Sequence, residues 1–349
     1  MSKEKEAMFY SRLPDGKVKC DLCGRQCVIA EGNQGVCQAR INKKGVLYTV
    51  SYGRTCSVSV DPIEKKPLFH FHPGAKVLSV SSPFCNFFCR FCDNWVISQH
   101  RSISQTEEML PQQVVDMARH NKSDGVSYTY TEPTTFYEWA YDSARLAHDF
   151  GLFNTFVTNG YMTPEAVGKI SPYLDAATVD FKGAGDPKFY SHIMRVSSVE
   201  PIYTCLEVMK KHGIHIEITN LVVPEYGESE DRLRELASWT RLHLGSETPF
   251  HILRFHPSYE LIDVPWTPVA TIERSVKIAQ EEGLEYVYAG NLPDHDGENT
   301  YCSKCHEMLV RRDSFNIVGW NLTRDMKCPK CGEKIPIKGH FHGHALSRI

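Results

Sequence analysis

Phe84-Cys85-Asn86-Phe87-Phe88-Cys89-Arg90-Phe91-Cys92-Asp93-Asn94-Trp95 is the stretch on which the rest of this 349-residue chain turns. Cys85, Cys89 and Cys92 form a CxxxCxxC loop that supplies three thiolates. A four-iron cluster has four corners, so three cysteines leave one iron open to a small chelating molecule. Ferredoxins and structural zinc sites close their coordination with a fourth ligand, and no cysteine follows Cys92 closely. The missing ligand implies chemistry rather than electron carriage. Phe84, Phe87, Phe88 and Phe91 would keep water from such a cluster and help set its potential through the local dielectric. The competing reading is three thiols that only pack or that join a zinc knuckle.

Outward from the loop, short apolar stretches alternate with helical patterns, which predicts βα units. Strands are expected near Val77–Ser81, Val126–Tyr130, Phe153–Thr158, Ala177–Phe181, His215–Val223, His251–Phe255 and Tyr286–Tyr288. Helices are expected at Pro111–His120, Thr135–Phe150, Pro201–His212, Glu230–His243 and Pro268–Glu282, several opened by Thr, Ser or Pro. The fold class is therefore α/β, a partial or full (β/α) barrel of six or more units with chemistry at the strand C-termini. The cysteine loop follows the first strand, and Glu132, Thr158-Asn159-Gly160, Asp180-Phe181-Lys182 and His256 follow or end later ones.

Small cysteine-rich modules flank the barrel. Residues 1–74 form an N-terminal cysteine-rich module, 75–291 the barrel core and 292–349 a C-terminal zinc-ribbon module. Cys302-xx-Cys305 and Cys328-xx-Cys331 have the paired-knuckle spacing of a zinc ribbon, four soft ligands that close a tetrahedron around zinc or a rubredoxin-like iron. Cys20, Cys23, Cys27 and Cys37 make a second four-thiol set, read first as a zinc site and second as another iron-sulfur cluster. Cys56 stands apart, and Cys205 shares a helical face with Ile202 and Met209, as a core residue would. Phe69-His70-Phe71-His72 alternates rings with period two and is expected at an interface between the N-terminal module and the barrel. His340, His342 and His344 are expected to form a polar tail.

Lys plus Arg number 39 against 42 Asp plus Glu, a net charge of −3 that gives no general case for nucleic-acid or anionic-membrane binding. From Cys302 to Ile349 there are nine basic and four acidic residues, so the tail is a basic module on an acidic body. MSKEKEAMFY has no apolar h-region, and nowhere do about eighteen uninterrupted apolar residues occur. A soluble cytoplasmic protein is the expectation, and in that reducing compartment thirteen cysteines serve as metal ligands more readily than as disulfides.

With the cluster loop at the first strand and polar motifs at later strand ends, the chain resembles radical S-adenosylmethionine (SAM) enzymes. Tyr52-Gly53-Arg54, Asp61-Pro62-Ile63-Glu64-Lys65-Lys66-Pro67-Leu68, Cys85–Trp95 and Ala289-Gly290-Asn291 resemble the AmmeMemoRadiSam-system radical SAM proteins, relatives of pyruvate formate-lyase activating enzyme. The resemblance implies a [4Fe-4S] cluster whose open iron is chelated by the methionine moiety of SAM, and cleavage of SAM to a 5′-deoxyadenosyl radical. It places Glu132 where relatives carry a Gly-Gly-Glu type segment, here Thr131-Glu132-Pro133. It places Thr158 and Asn159 near the ribose, where Val157 replaces an acidic residue of the pyruvate formate-lyase activators. Asp180 and Lys182 match an Asp-x-Lys strand end, with an internal ion pair as the alternative, and His256 falls near the adenosine. Thr219 and Asn220 end another strand and are equally at home in a turn.

The function expected is an activating-enzyme-like oxidoreductase that abstracts a hydrogen atom from a protein or peptide. The implied partners are a reductant such as flavodoxin or ferredoxin and, from the family name, Memo-like and Amme-type proteins. RNA modification, suggested by the basic ribbon, and non-catalytic electron transfer are the alternatives.

Overall fold

The computed structural model describes residues 5–99, 105–293 and 295–343. At its centre is one eight-stranded sheet whose spatial order follows the chain. Its strands are β1 (Ser57–Pro62), β2 (Lys76–Ser81), β3 (Gly125–Tyr128), β4 (Phe153–Thr158), β5 (Ala176–Lys182), β6 (His215–Val222), β7 (Phe250–Arg254) and β8 (Val287–Gly290). Only β1 runs antiparallel, with Val60 opposite Leu78; β2 to β8 are parallel, in registers such as Val126 opposite Leu78 and Thr219 opposite His251. The sheet stays open, because β1 and β8 are its two edges. Edge strand β1 was not expected from sequence, and Tyr130 lies beyond β3 with a positive φ of 65°.

Each parallel pair is joined through a helix: α1 (Pro111–His120), α2 (Tyr137–Asp149), α3 (Pro164–Ile170), α4 (Glu200–Lys211), α5 (Glu230–His243) and α6 (Val269–Glu281). Helix α1 shows why these segments are helical. Its buried positions, Pro111, Val114, Val115 and Ala118, recur at the spacing of one helix face, while Gln112, Asp116 and Arg119 are exposed. Pro111 occupies the first turn, where its missing N–H costs nothing, and the Gln113 side chain accepts from the Leu110 N–H at 2.8 Å. Burying each valine stabilises by about 1.5–3 kcal/mol, so a charge at Val115 would detach the helix from the sheet.

The strands have two unlike faces. Leu78, Val80, Val126, Tyr128, Phe156, Val179, Ile218 and Ile252 belong to the main apolar core. The alternate positions, Ser79, Ser127, Thr155, Thr178, Glu217, Thr219 and His251, are also buried but polar. Parallel strands covered on both faces ordinarily read as continuous apolar runs. Here the concave side of the coiled sheet is lined with hydroxyl, carboxylate and imidazole groups, an interior suited to polar contents.

The end modules are short antiparallel sheets, Lys5–Glu6 with Val46–Thr49 and Arg40–Lys43, Tyr10–Arg12 with Val18–Cys20 and Val28–Ile29, and Thr300–Tyr301 with Met308–Asp313 and Asn316–Trp320. They dock at opposite ends of the barrel. The N-terminal module meets the segment after β4: Gly24 N–H donates to Tyr161 C=O at 2.9 Å, and a Cβ on Gly24 would lie 2.7 Å from Tyr161. The C-terminal module covers the strand N-termini, where Lys338 Nζ donates to Gly213 C=O at 3.1 Å and Arg312 stacks over Phe69 at 4.1 Å.

Candidate functional site

Strand β2 runs into Ser81-Ser82 and then the cysteine loop, which therefore sits at the C-terminal mouth of the sheet. Phe84 enters it with φ of 95° on a buried aromatic residue, a conformation that side chains rarely adopt and that the fold must hold in place. Thr135 Oγ1 does so by donating to Phe84 C=O at 3.2 Å. Cys85 Sγ accepts from Phe87 N–H at 3.3 Å, and Cys92 Sγ lies 3.2 Å from Ser98 Oγ. Phe87 and Phe91 are buried beside the thiols, Phe87 edge-on to Tyr161 at 5.1 Å.

Burial pushes all three thiols above their ordinary pKa, and each also feels another thiol or a neighbouring charge. Glu132 acts on Cys85, whereas the Lys182 ammonium favours the thiolates of Cys89 and Cys92. Two strand ends, those of β3 and β5, thus act on the loop.

Glu132, at the turn after β3, is buried and held by four donors. Its Oε1 accepts from Thr134 N at 3.0 Å, Thr134 Oγ1 at 2.5 Å and Thr158 Oγ1 at 2.8 Å, and its Oε2 from Asn159 N at 2.8 Å. Burial raises its pKa against those donors. Asn159 then reaches the loop, its Nδ2 donating to Asn86 Oδ1 at 2.7 Å and lying 4.0 Å from Cys85 Sγ. Asp180 and Lys182 pair at 3.0 Å with 26% and 18% of their side chains exposed, so the pair borders an opening and is not sealed inside. Thr219 Oγ1 donates to the other Asp180 oxygen, and Asn220 Oδ1 accepts from Ala184 N at 2.7 Å. His256 Nε2 lies 3.1 Å from Asp93, next to Cys92, and its ring is tilted against Trp266 at 5.3 Å.

Below this mouth is a group whose chemistry the sequence did not reveal. Asp61, from the string Asp61–Leu68, accepts from Lys66 Nζ at 2.7 Å, Tyr130 Oη at 2.5 Å and Lys65 Nζ at 2.9 Å. Burial works to raise the Asp61 carboxyl, yet these donors hold it well below its usual range; burial draws Lys66 down to about 8. The only sequence signal was two adjacent lysines beside an aspartate. Deeper still, buried Glu217 accepts from the backbone of Phe69 and His70 at 3.0 and 2.7 Å and from His215 and His251 at 3.0 and 2.8 Å.

That contact revises the reading of Phe69–His72. Phe69, His70 and Phe71 are all buried, no alternating strand forms, and the segment joins the barrel floor to the C-terminal module. His340 and His342 are likewise not a loose tail. With His72 they bring three imidazole nitrogens within 4.8 Å of one another, and Asp124 orients His342 at 3.1 Å; His344 lies outside the described residues. Cys205 is buried in the main core, as expected, and Cys56 Sγ lies 3.6 Å from Ser81 C=O.

In the ribbon, Cys302 Sγ is 3.5 Å from Cys331 Sγ and Cys305 Sγ 3.6 Å from Cys328 Sγ. Zn–S bonds of about 2.3 Å place the thiolates of one tetrahedral site about 3.8 Å apart, so the four fit a single ion. Among the described residues, the sulfurs of Cys85, Cys89 and Cys92 do not all lie within 4.8 Å of one another. Three soft donors around a wider space, next to a lysine and walled by phenylalanine, fit a four-iron cluster with one corner free.

Residues 79–240 match the Radical SAM superfamily, so the chain carries a radical SAM domain. A radical SAM domain marks the chain as an enzyme and implies a [4Fe-4S] cluster and SAM. The chain belongs to the same family as uncharacterized protein MJ0808 of Methanocaldococcus jannaschii, with 47% identity over 335 residues covering 95% of this chain and 99% of that protein. Among solved structures it is similar to a radical SAM methyltransferase from Sphaerobacter thermophilus, at 15% identity and TM-score 0.49, covering 68% of this chain and 71% of that one. It is also similar to a domain of pyruvate-formate lyase-activating enzyme from Bacteroides vulgatus, at 15% identity and TM-score 0.42, covering 48% of this chain and 100% of that one. No helix among the described residues is long and apolar enough to cross a membrane.

Proposed function

We propose that this chain is a radical SAM oxidoreductase that takes a hydrogen atom from a protein or peptide, in the manner of an activating enzyme. Cys85, Cys89 and Cys92 would hold the cluster. When bound, the cluster supplies an electron for reductive cleavage of SAM, which yields the 5′-deoxyadenosyl radical. The chain's own residues bind and shield. Glu132 fixes the β3 and β4 ends relative to Cys85 and keeps one acceptor position on Oε2 for an ammonium. Thr158 and Asn159 continue that rim. Asp180 and Lys182 offer a carboxylate and an ammonium at the open edge, suited to hydroxyl and carboxylate groups, and His256 with Trp266 offers a flat surface for a purine.

The observation that carries the substrate class is the apolar rim. Val96, Ile262 and Trp266 are 54%, 65% and 51% exposed on the two segments beside the loop, and Trp95 stacks on Tyr259 at 5.1 Å to join those segments. Exposed apolar groups around a mouth suit a polypeptide surface. The basic ribbon lies at the far end of the barrel, so it does not favour delivery of RNA to this mouth. We further assign the ribbon a zinc ion in a structural role, flavodoxin or ferredoxin as reductant, and Memo-like and Amme-type proteins as the first partners to test. The test is 5′-deoxyadenosine formation by reconstituted protein with each partner or with RNA. A partner protein should stimulate it in the parent and not in a V96S/I262S variant; stimulation by RNA alone would contradict the proposal.

A further inference from the structure

Cys20, Cys23, Cys27 and Cys37 surround a chamber of their own beside the loop. Arg40 and Asn86 complete its wall, and its mouth opens to solvent. The four thiols line it together. Their arrangement differs from that of the ribbon. Among the described residues no three of these four sulfurs lie within 4.8 Å of one another, whereas all four ribbon sulfurs do. One zinc ion would need spacings of about 3.8 Å. A cubane spreads its four ligands over four corners and suits a wider ring.

Two orphaned donors point into the same chamber. Arg40 and Asn86 are each 1% exposed, and among the described residues neither Arg40 Nε nor Asn86 Nδ2 has a hydrogen-bond partner in normal geometry. The remaining Arg40 nitrogens are occupied: Nη1 donates to Met8 C=O at 2.7 Å and lies 3.8 Å from Cys20 Sγ, and Nη2 pairs with buried Glu138. Asn86 Nδ2 faces Cys23 without normal bonding geometry, while Asn86 Oδ1 accepts from Asn159. Buried N–H groups are rarely left unpaired. Inorganic sulfides and ligated thiolates would be their acceptors, as hydrogen bonds to cluster sulfurs are a general means of tuning potential.

We propose that Cys20, Cys23, Cys27 and Cys37 bind a second four-iron cluster. All its corners carry a protein thiolate, so it has no iron for SAM, unlike the cluster of the loop. Asn86, which follows Cys85 directly, is the wall between the two sites.

The assignment stands independently of the reading of the loop and is tested where the loop cannot contribute. The C85A/C89A/C92A variant would be reconstituted anaerobically with iron, sulfide and zinc all supplied. It should retain roughly four iron and four sulfide per chain, with a reduced four-iron electron paramagnetic resonance signal that SAM leaves unchanged. In the parent, C27S should remove that SAM-insensitive component and leave the SAM-sensitive one. A triple variant that binds zinc in place of iron at Cys20–Cys37, or that binds no iron, would overturn the proposal.

Discussion

His70 makes the joint between barrel and C-terminal module sensitive to acid, and the size of the effect can be worked out. The ring is fully buried, Nε2 lies 2.6 Å from Tyr288 Oη, and Nδ1 has no partner among the described residues. Burial lowers its pKa from 6.5 to about 3, although Glu217 pulls the other way. A histidine depressed in the folded state stays neutral there while the unfolded chain takes up a proton. Its stabilisation is therefore complete above pH 6.5, declines as pH falls below that value, and is gone below about pH 3. Linkage across that window gives a loss of about 2 kcal/mol between pH 7 and pH 5 and about 5 kcal/mol in all. In H70Q the side-chain amide can still meet Tyr288 but cannot titrate. Thermal unfolding of parent and H70Q, followed by Trp320 fluorescence at pH 7 and pH 5, should show H70Q losing less midpoint on acidification by about 3 °C. Equal losses would refute the argument that His70 is buried uncharged.

Other perturbations address the mouth, the interior and the ribbon. In E132Q, either orientation of the amide sets an N–H against the backbone N–H of Thr134 or Asn159, because these donate to different oxygens. The variant should lose about 1–3 kcal/mol in denaturant unfolding and should also bind SAM more weakly; stability lost with affinity unchanged would reduce Glu132 to a brace. D61N leaves the Lys66 ammonium buried without its counter-charge and should cost about 3–5 kcal/mol, most of it recovered in D61N/K66M when the two are compared by urea unfolding. Metal analysis should find one zinc bound through the ribbon, lost in C305A/C328A, where Trp320 becomes more exposed while the loop still assembles its iron.

The parts legible in the sequence were those written in local periodicity. Phe153–Thr158, Pro111–His120 and Glu230–His243 form the elements expected of them because each carries a complete apolar pattern between turn or capping residues. Strand β1 was missed because Val58 and Val60 point outward on an edge strand that has no partner beyond it, so its pattern is weak. The cysteine loop was legible because its ligands are close in sequence. The Asp61–Lys66–Tyr130 group and the His72–His340–His342 cluster were not, since both depend on distant segments meeting in space, His72 and His342 being 2.9 Å apart across most of the chain. The Asp180–Lys182 pairing could be read from strand alternation, but whether it faced an opening or a sealed interior depended on how far the sheet closes.

The most direct test of the central claim is product analysis of the anaerobically reconstituted protein, reduced with dithionite and supplied with SAM. Reductive cleavage should yield 5′-deoxyadenosine and methionine in the parent, and none in C85A, C89A or C92A, each still folded with its ribbon zinc. Cleavage that persists in all three variants, or its absence from parent protein carrying a full complement of iron and sulfide, would contradict the assignment of the loop.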